Sequence, residues 1–211
     1  MYKFNEDNIT RKSNLEEDNS LTVYKTHYGA QQNPNAFRVF HKFLNEVRPK
    51  RVLEIGTGLG GFTMFLRLTS IEIDLNLDIL SYDINGRQGY DSLKEHDIDV
   101  RTDNIFLDNY STISPEVIKY IQQDGITVIL CDGGNKIYEF NVLSNYLKNG
   151  DFIMAHDYAP NKEYYDEHIH KKLWNWFEIR DSDIEPTVNK HGLKPVMEDE
   201  FREAVWVCKI K

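Results

Sequence analysis

The chain has 211 residues, 40% of them hydrophobic, and 34 acidic side chains against 25 Lys and Arg give it a formal charge of −9. That length and apolar content suit one domain with its own core, and the acidic balance argues against a surface that holds nucleic acid by neutralising phosphates. No apolar run approaches the ~18 residues that cross a bilayer, Met1 to Asn8 lacks a signal-peptide apolar region, and Cys131 and Cys208 each sit in an apolar, β-branched run. The reading is a cytoplasmic protein with reduced core thiols and no membrane partner.

Residues 1–32 read as a polar N-terminal arm, with Ile9 and Leu15 the only apolar relief between Asn5 and Ser20, and residues 33–211 as a single domain. Asn33-Pro34 predicts a helix start, with Phe37, Phe40, His41 and Leu44 at helical spacing and an end before Pro49. Arg51 to Ile55 predicts a strand, followed by a glycine turn, a helix over Phe62 to Leu68 and a strand over Ile79 to Tyr82. Further on, a helix over Gln88 to Glu95, a strand over Asp97 to Arg101, a helix from Ser114 to about Gln123 and a strand over Ile126 to Cys131 are expected. A helix over Tyr138 to Lys148 capped at Asn149-Gly150, a strand over Phe152 to Ala155 and a long helix over Glu163 to Trp176 come next. Two last strands, Trp176 to Arg180 and Glu203 to Ile210, flank a polar loop that holds Pro186, His191-Gly192 and Pro195. The alternation implies an α/β, Rossmann-like three-layer sandwich: a mostly parallel seven-stranded sheet with a terminal antiparallel strand and ligands at the carboxyl ends of its strands.

The segment Val52-Leu53-Glu54-Ile55-Gly56-Thr57-Gly58-Leu59-Gly60-Gly61 delivers a strand into a glycine loop that opens a helix. Glycines there permit a tight turn and a close approach of ligand to backbone. Asp83 follows at roughly the 20-residue separation of a ribose-binding acid, a spacing shared by NAD and S-adenosylmethionine sites. Glu54 separates them: a carboxylate at the end of a buried strand needs a cation, which a ligand with sulfonium and ammonium groups supplies and a pyrophosphate does not. The alternative is a structural pair with a neighbouring Arg or Lys such as Arg51.

On these residues the chain resembles the class I S-adenosylmethionine-dependent methyltransferases, over roughly Arg51 to Tyr158, with Glu54-x-Gly56-x-Gly58 similar to the family's first motif. The resemblance implies that Gly56, Thr57, Gly58 and the nearby backbone line the methionine portion of the cofactor, that Asp83 holds the ribose hydroxyls, and that Asp103 contacts the adenine amino group. For Asp103 and its neighbour Asn104 a solvated turn is the plainer reading.

A second constellation joins Asp132, which precedes Gly133-Gly134, to His156-Asp157 at the ends of two adjacent strands. Two carboxylates and an imidazole on one rim have metal-ligand composition. The pattern is similar to that of the catechol-type and antibiotic-sugar O-methyltransferases, which implies a divalent metal, Mg²⁺ or Mn²⁺, at Asp132, His156 and Asp157, with Asp132 bordering the cofactor as well. His156 departs from the usual carboxylate and leaves Fe²⁺ or Zn²⁺ open. The plain alternatives are a turn acid at Asp132 and a loop cap at His156-Asp157. Lys136 is a candidate base if its pKa is lowered near the metal, and otherwise a helix-start lysine facing solvent. Tyr158 to Trp176, with Tyr164, Tyr165, His168, His170 and Trp174, reads as a substrate wall or as core packing, and His27 to Gln31 as a flap over the cofactor.

The expected function is therefore O-methylation of a small-molecule or saccharide hydroxyl, with Asp132, Lys136 and His156 as catalytic candidates. A homodimer is compatible with the sequence. The competing readings are an NAD(P)-dependent oxidoreductase, an iron-dependent oxygenase-like relative and a cofactor-binding module without catalysis.

Overall fold

The alternation of apolar runs and amphipathic stretches becomes a seven-stranded sheet in the computed structural model, which describes residues 2–11, 22–24, 29–87 and 89–211. Its strands are β1 (Arg51–Ile55), β2 (Asp78–Tyr82), β3 (Ile98–Arg101), β4 (Thr127–Cys131), β5 (Phe152–His156), β6 (Lys194–Pro195) and β7 (Trp206–Ile210). Their order is β6-β7-β5-β4-β1-β2-β3. β5, β4, β1, β2 and β3 run parallel, and β7 is antiparallel to both of its neighbours. Sequence-adjacent β1 and β2 go one way from the centre and β4 the other, so a crevice opens at the carboxyl ends of β1 and β4.

Side chains alternate across the strands and split the core in two. Val52, Leu130 and Met154 pack under helices α1 (Pro34–Val47), α2 (Gly61–Glu72) and α3 (Tyr90–Lys94). Leu53, Ile129 and Ile153 pack under α4 (Pro115–Ile121), α5 (Lys136–Leu143) and α6 (Asp181–His191). A short α7 (Glu198–Glu203) buries Phe201 beside α1. Helix α1 starts as its sequence predicts, with Asn33 Oδ1 accepting the Asn35 amide at 2.8 Å. It ends at Arg48, left-handed at φ 49°, before Pro49. Cys131 and Cys208 are buried free thiols.

Several boundaries differ from expectation. The stretch Trp176 to Arg180 is no strand: Ile179 makes one isolated bridge to Tyr158, and β6 takes its place beside β7. The polar loop around Pro186 is helix α6, held by buried Ile184 and closed by Gly192 at φ 65°. Packing and a left-handed cap outweigh the one backbone bond that a proline forfeits. The long helix expected over Glu163 to Trp176 is a single turn at Lys162–Tyr164 and a wide turn over Tyr165–Ile169. The ladder stops at Ile169, whose carbonyl accepts the amides of Lys172, Leu173 and Trp174. Helix α5 begins at Lys136, two residues early, and passes into a tight turn at Ser144–Tyr146, so Gly150 shapes the entry to β5 instead of capping it. Glu203 belongs to α7, not to the last strand.

Part of the N-terminal segment belongs to the body. Phe4 stacks on His41 at 4.5 Å, and Ala30 and Gln32 are buried, so the compact region begins before residue 33. Leu15, His27, Tyr28 and the expected helix start at Gln88 lie outside the described residues. Among the described residues no helix is long and apolar enough to cross a membrane.

Candidate active site

A cavity of about 420 Å³ opens at the carboxyl ends of β1, β2, β4 and β5, and every residue singled out above for cofactor, metal or catalysis lines it. The register explains why. Ile55 lies opposite Cys131, and Ala155 opposite Cys131 on the other side, so Gly56 and Asp132, each one step beyond its strand, emerge beside His156, the last residue of β5.

On the β1 side, Gly56 adopts φ 98°, and a Cβ there would lie 2.1 Å from the Asp132 carbonyl oxygen. Only glycine lets these two strand ends approach so closely. Glu54 is buried on the face covered by α2, where its Oε2 accepts hydrogen bonds from Thr63 at 2.7 Å and Ser81 at 2.5 Å. Thr57 extends the chain of hydroxyls, 2.6 Å from Ser81. Burial raises the Glu54 pKa to about 7, the charges of Asp132 and Asp83 add to this, and the Ser81 and Thr63 bonds oppose it. Arg51 is not its partner: that guanidinium donates to the carbonyls of Gln123, Asp124 and Gly125 and to Thr127. Among the described residues no cationic side chain pairs with Glu54.

Asp83 follows β2 directly and accepts the amides of Gly58 at 2.8 Å and Asn85 at 2.9 Å, which ties this acid to the glycine turn. Tyr90 donates to the Gly58 carbonyl at 3.0 Å and braces the same turn. Asp103 is exposed on the cavity wall, and Asn104 Oδ1 accepts the Phe106 amide, the local turn that its residue type favours.

The β4–β5 side is a charged cluster. Asp132 Oδ1 bonds His156 Nδ1 at 3.0 Å, and Asp132 Oδ2 accepts from Gln32 Nε2 at 2.7 Å. Asp157, left-handed at φ 58°, accepts from Trp174 Nε1 at 2.5 Å on Oδ1 and from Lys136 Nζ at 2.9 Å on Oδ2. Lys136 Nζ also meets Glu178 Oε2 at 2.8 Å, the Gly133 carbonyl at 3.2 Å and Asp132 Oδ1 at 3.7 Å. Burial by itself would lower the Lys136 pKa, but Asp132, Asp157 and Glu178 together hold it above its ordinary value. Lys136 is buried rather than solvent-facing, and its three acidic neighbours favour the ammonium form. For His156 burial again pulls downward and the charges of Asp132 and Asp157 prevail, so its pKa is raised. Asp157 lies below its ordinary value, since His156 and Lys136 outweigh the upward effect of burial. His156 stacks on Trp206 at 4.9 Å, and its Nε2 is buried with no hydrogen-bond partner.

Gln32, Glu139 and Glu178 escaped the sequence reading. Gln32 bridges Asp132 to Trp206 Nε1, a role with no local signal. Glu139 is buried with a pKa raised by burial to about 7 and accepts the amides of Gly133 and Asn135. An acid near a helix start was the available clue. Of the aromatic stretch, Trp174 and Trp176 reach the cavity, whereas Tyr165, His168 and His170 pack elsewhere.

Asp132, His156 and Asp157 place one donor atom each within 4.8 Å of one another, which is metal-ligand spacing. The fit to a divalent ion is nevertheless poor. Both Asp132 oxygens and Asp157 Oδ1 already receive hydrogen bonds from His156, Gln32 and Trp174, and Asp157 Oδ2 is paired with the Lys136 ammonium. A His156 Nδ1 bonded to a carboxylate carries the proton and has no lone pair for a metal, which leaves Nε2 of the neutral ring as its one nitrogen donor.

No family model and no curated protein sequence matches the chain. Solved structures match its fold. CmcI in an Mg–SAM form superposes with a TM-score of 0.57 at 16% identity, covering 87% of this chain and 74% of that one. A Nostoc punctiforme protein assigned as an O-methyltransferase gives 0.53 at 11% identity over 84% of this chain and 56% of its own. Human N-acetylserotonin methyltransferase in complex with SAM gives 0.50 at 10% identity over 84% and 52%. The chain thus carries the Rossmann-like fold of these methyltransferase structures.

Proposed function

We propose that this chain transfers the methyl group of S-adenosylmethionine to a hydroxyl of a small molecule or saccharide. The observation that carries this reading is Glu54, a carboxylate buried beneath the glycine turn, lining the cavity and lacking a cationic partner among the described residues. A ligand bearing sulfonium and ammonium charge completes it, whereas the pyrophosphate of NAD(P) meets repulsion. In this reading Gly56, Thr57 and Gly58 take the methionine portion, Asp83 the ribose hydroxyls and Asp103 the adenine edge. The structural neighbours described with SAM support the same cofactor.

The acceptor hydroxyl sits at Asp132, which orients it with His156 behind and takes up its proton as the oxygen attacks the methyl carbon. The carbon–sulfur bond breaks, sulfur keeps the electron pair, and the charge of the sulfonium is discharged. Catalysis is then chiefly alignment of oxygen, methyl and sulfur.

A second reading adds Mg²⁺ or Mn²⁺ at Asp132, His156 and Asp157, and the convergence of their donor atoms within 4.8 Å favours it. The metal-free reading is preferred because Asp157 is already paired with the buried Lys136 ammonium. Isothermal calorimetry with S-adenosylhomocysteine, run beside NAD, tests the cofactor. Micromolar binding of the homocysteine nucleoside, about −8 kcal/mol, is the expected result, and binding of NAD alone overturns the reading.

A further inference from the structure

Lys136 opens α5 directly after Gly133-Gly134, and its side chain runs into the protein, 6% exposed. Its ammonium has three N–H groups and three acceptors at hydrogen-bond distance: Glu178 Oε2 at 2.8 Å, Asp157 Oδ2 at 2.9 Å and the Gly133 carbonyl at 3.2 Å. Asp132 Oδ1 is the fourth oxygen, at 3.7 Å. These ligands come from the β4 turn, the end of β5 and the segment leading to α6, so one lysine ties three separate segments into a single charged centre. Asp132 and Asp157 are also the two carboxylates that a divalent ion would require.

We propose that the Lys136 ammonium is the resident cation of this centre, occupying the space among Asp157, Glu178 and Asp132 that a divalent ion would need, so that the chain works without a metal. Two features beyond the ion pairs support this. The remaining oxygens of both aspartates are bonded to Gln32, His156 and Trp174, which fixes the two carboxylates in the orientation that faces the lysine. A metal bound to Asp157 would also have to drive a buried ammonium from its partner and leave it uncompensated, which proteins tolerate poorly. Lys136 acts here as a positioning residue: it holds Asp132 and Asp157 in place and brings the Glu178 segment over the cavity. The inference deepens the methyl-transfer reading but stands on the cluster alone.

The test is a titration of the chelator-treated full chain with Mn²⁺, read by the electron paramagnetic resonance signal of the free ion, on the wild type, Lys136→Met and Lys136→Arg. The wild type and Lys136→Arg are expected to leave the free signal unchanged up to about 1 mM, and Lys136→Met to bind Mn²⁺ at least about tenfold more tightly. Wild-type binding below about 100 μM overturns the proposal, as does a folded Lys136→Met that gains no affinity. If Lys136→Met does not fold, the wild-type and Lys136→Arg titrations decide. Calorimetry with S-adenosylhomocysteine on the same wild-type sample separates the two readings. Nucleoside binding together with tight Mn²⁺ binding overturns the resident cation and leaves methyl transfer standing. Absence of both overturns methyl transfer and leaves the resident cation.

Discussion

Around Glu54 the cavity wall is built from a continuous strand–turn–helix segment, with a buried carboxylate held by hydroxyls and open to a cation from outside. Around Lys136 it is built from five separate places in the chain, Gln32, Asp132–Lys136, His156–Asp157, Trp174 and Glu178, whose charges answer one another. The first half has no counter-charge among the described residues; the second is already paired. The difference teaches that two acidic sites a few ångströms apart need not bind the same kind of partner: what matters is whether the protein itself supplies the counter-charge.

Gly56→Ala is expected to have the largest effect, because both halves meet there. A methyl group 2.1 Å from the Asp132 carbonyl at φ 98° must push the strand ends apart. A loss of about 3 kcal/mol or more in urea unfolding and loss of detectable S-adenosylhomocysteine binding by calorimetry are expected. Lys136→Met strikes the paired half alone, leaving Asp157 without its buried partner at an expected cost of about 3–5 kcal/mol by the same unfolding measurement.

Asp132→Asn separates binding from turnover. Methyl transfer, followed with labelled cofactor over a panel of hydroxyl acceptors, should fall by about 100-fold or more, while nucleoside affinity stays within about threefold. Full activity in this variant would remove Asp132 from the reaction.

The open half should be sharpened by pH. Glu54 in the folded chain titrates at about 7, above its ordinary 4.5, so between those values the folded state holds a proton that the unfolded state lacks. Its contribution to stability is therefore present below pH 4.5 and lost as pH rises through about 7, with a slope near 1.4 kcal/mol per unit. An ammonium-bearing ligand needs the ionised form. S-adenosylhomocysteine affinity should accordingly weaken by up to about tenfold per unit below pH 7 and level off above it, with a proton released on binding that calorimetry in buffers of different ionisation enthalpy detects. Asp103→Ala should have the smallest effect, less than about threefold in affinity, because that side chain is exposed.

The open half was legible because its signals are local. A β-strand ending in Glu54-x-Gly56-x-Gly58 carries its own turn chemistry, and Asp83 is placed by the length of the crossover helix. The core strands were legible for the same reason, their apolar runs being continuous. Elements whose identity depends on packing were misread. Pro186 signals a loop unless Ile184 has a core to enter, and the Glu163 to Trp176 pattern signals a helix unless the Trp174 indole is drawn to Asp157.

Composition, periodicity and the glycine turn thus determined by themselves the α/β sheet, its binding edge and the residues that reach it. Tertiary structure decided whether those residues are free or engaged. Sequence order shows that Asp132, Lys136 and Asp157 carry charge; only the fold shows that the lysine turns inward and meets both acids, together with Glu178 from a distant segment. The physical reason is range: backbone conformation follows from neighbours along the chain, whereas the charge state and pairing of a buried group follow from neighbours in space.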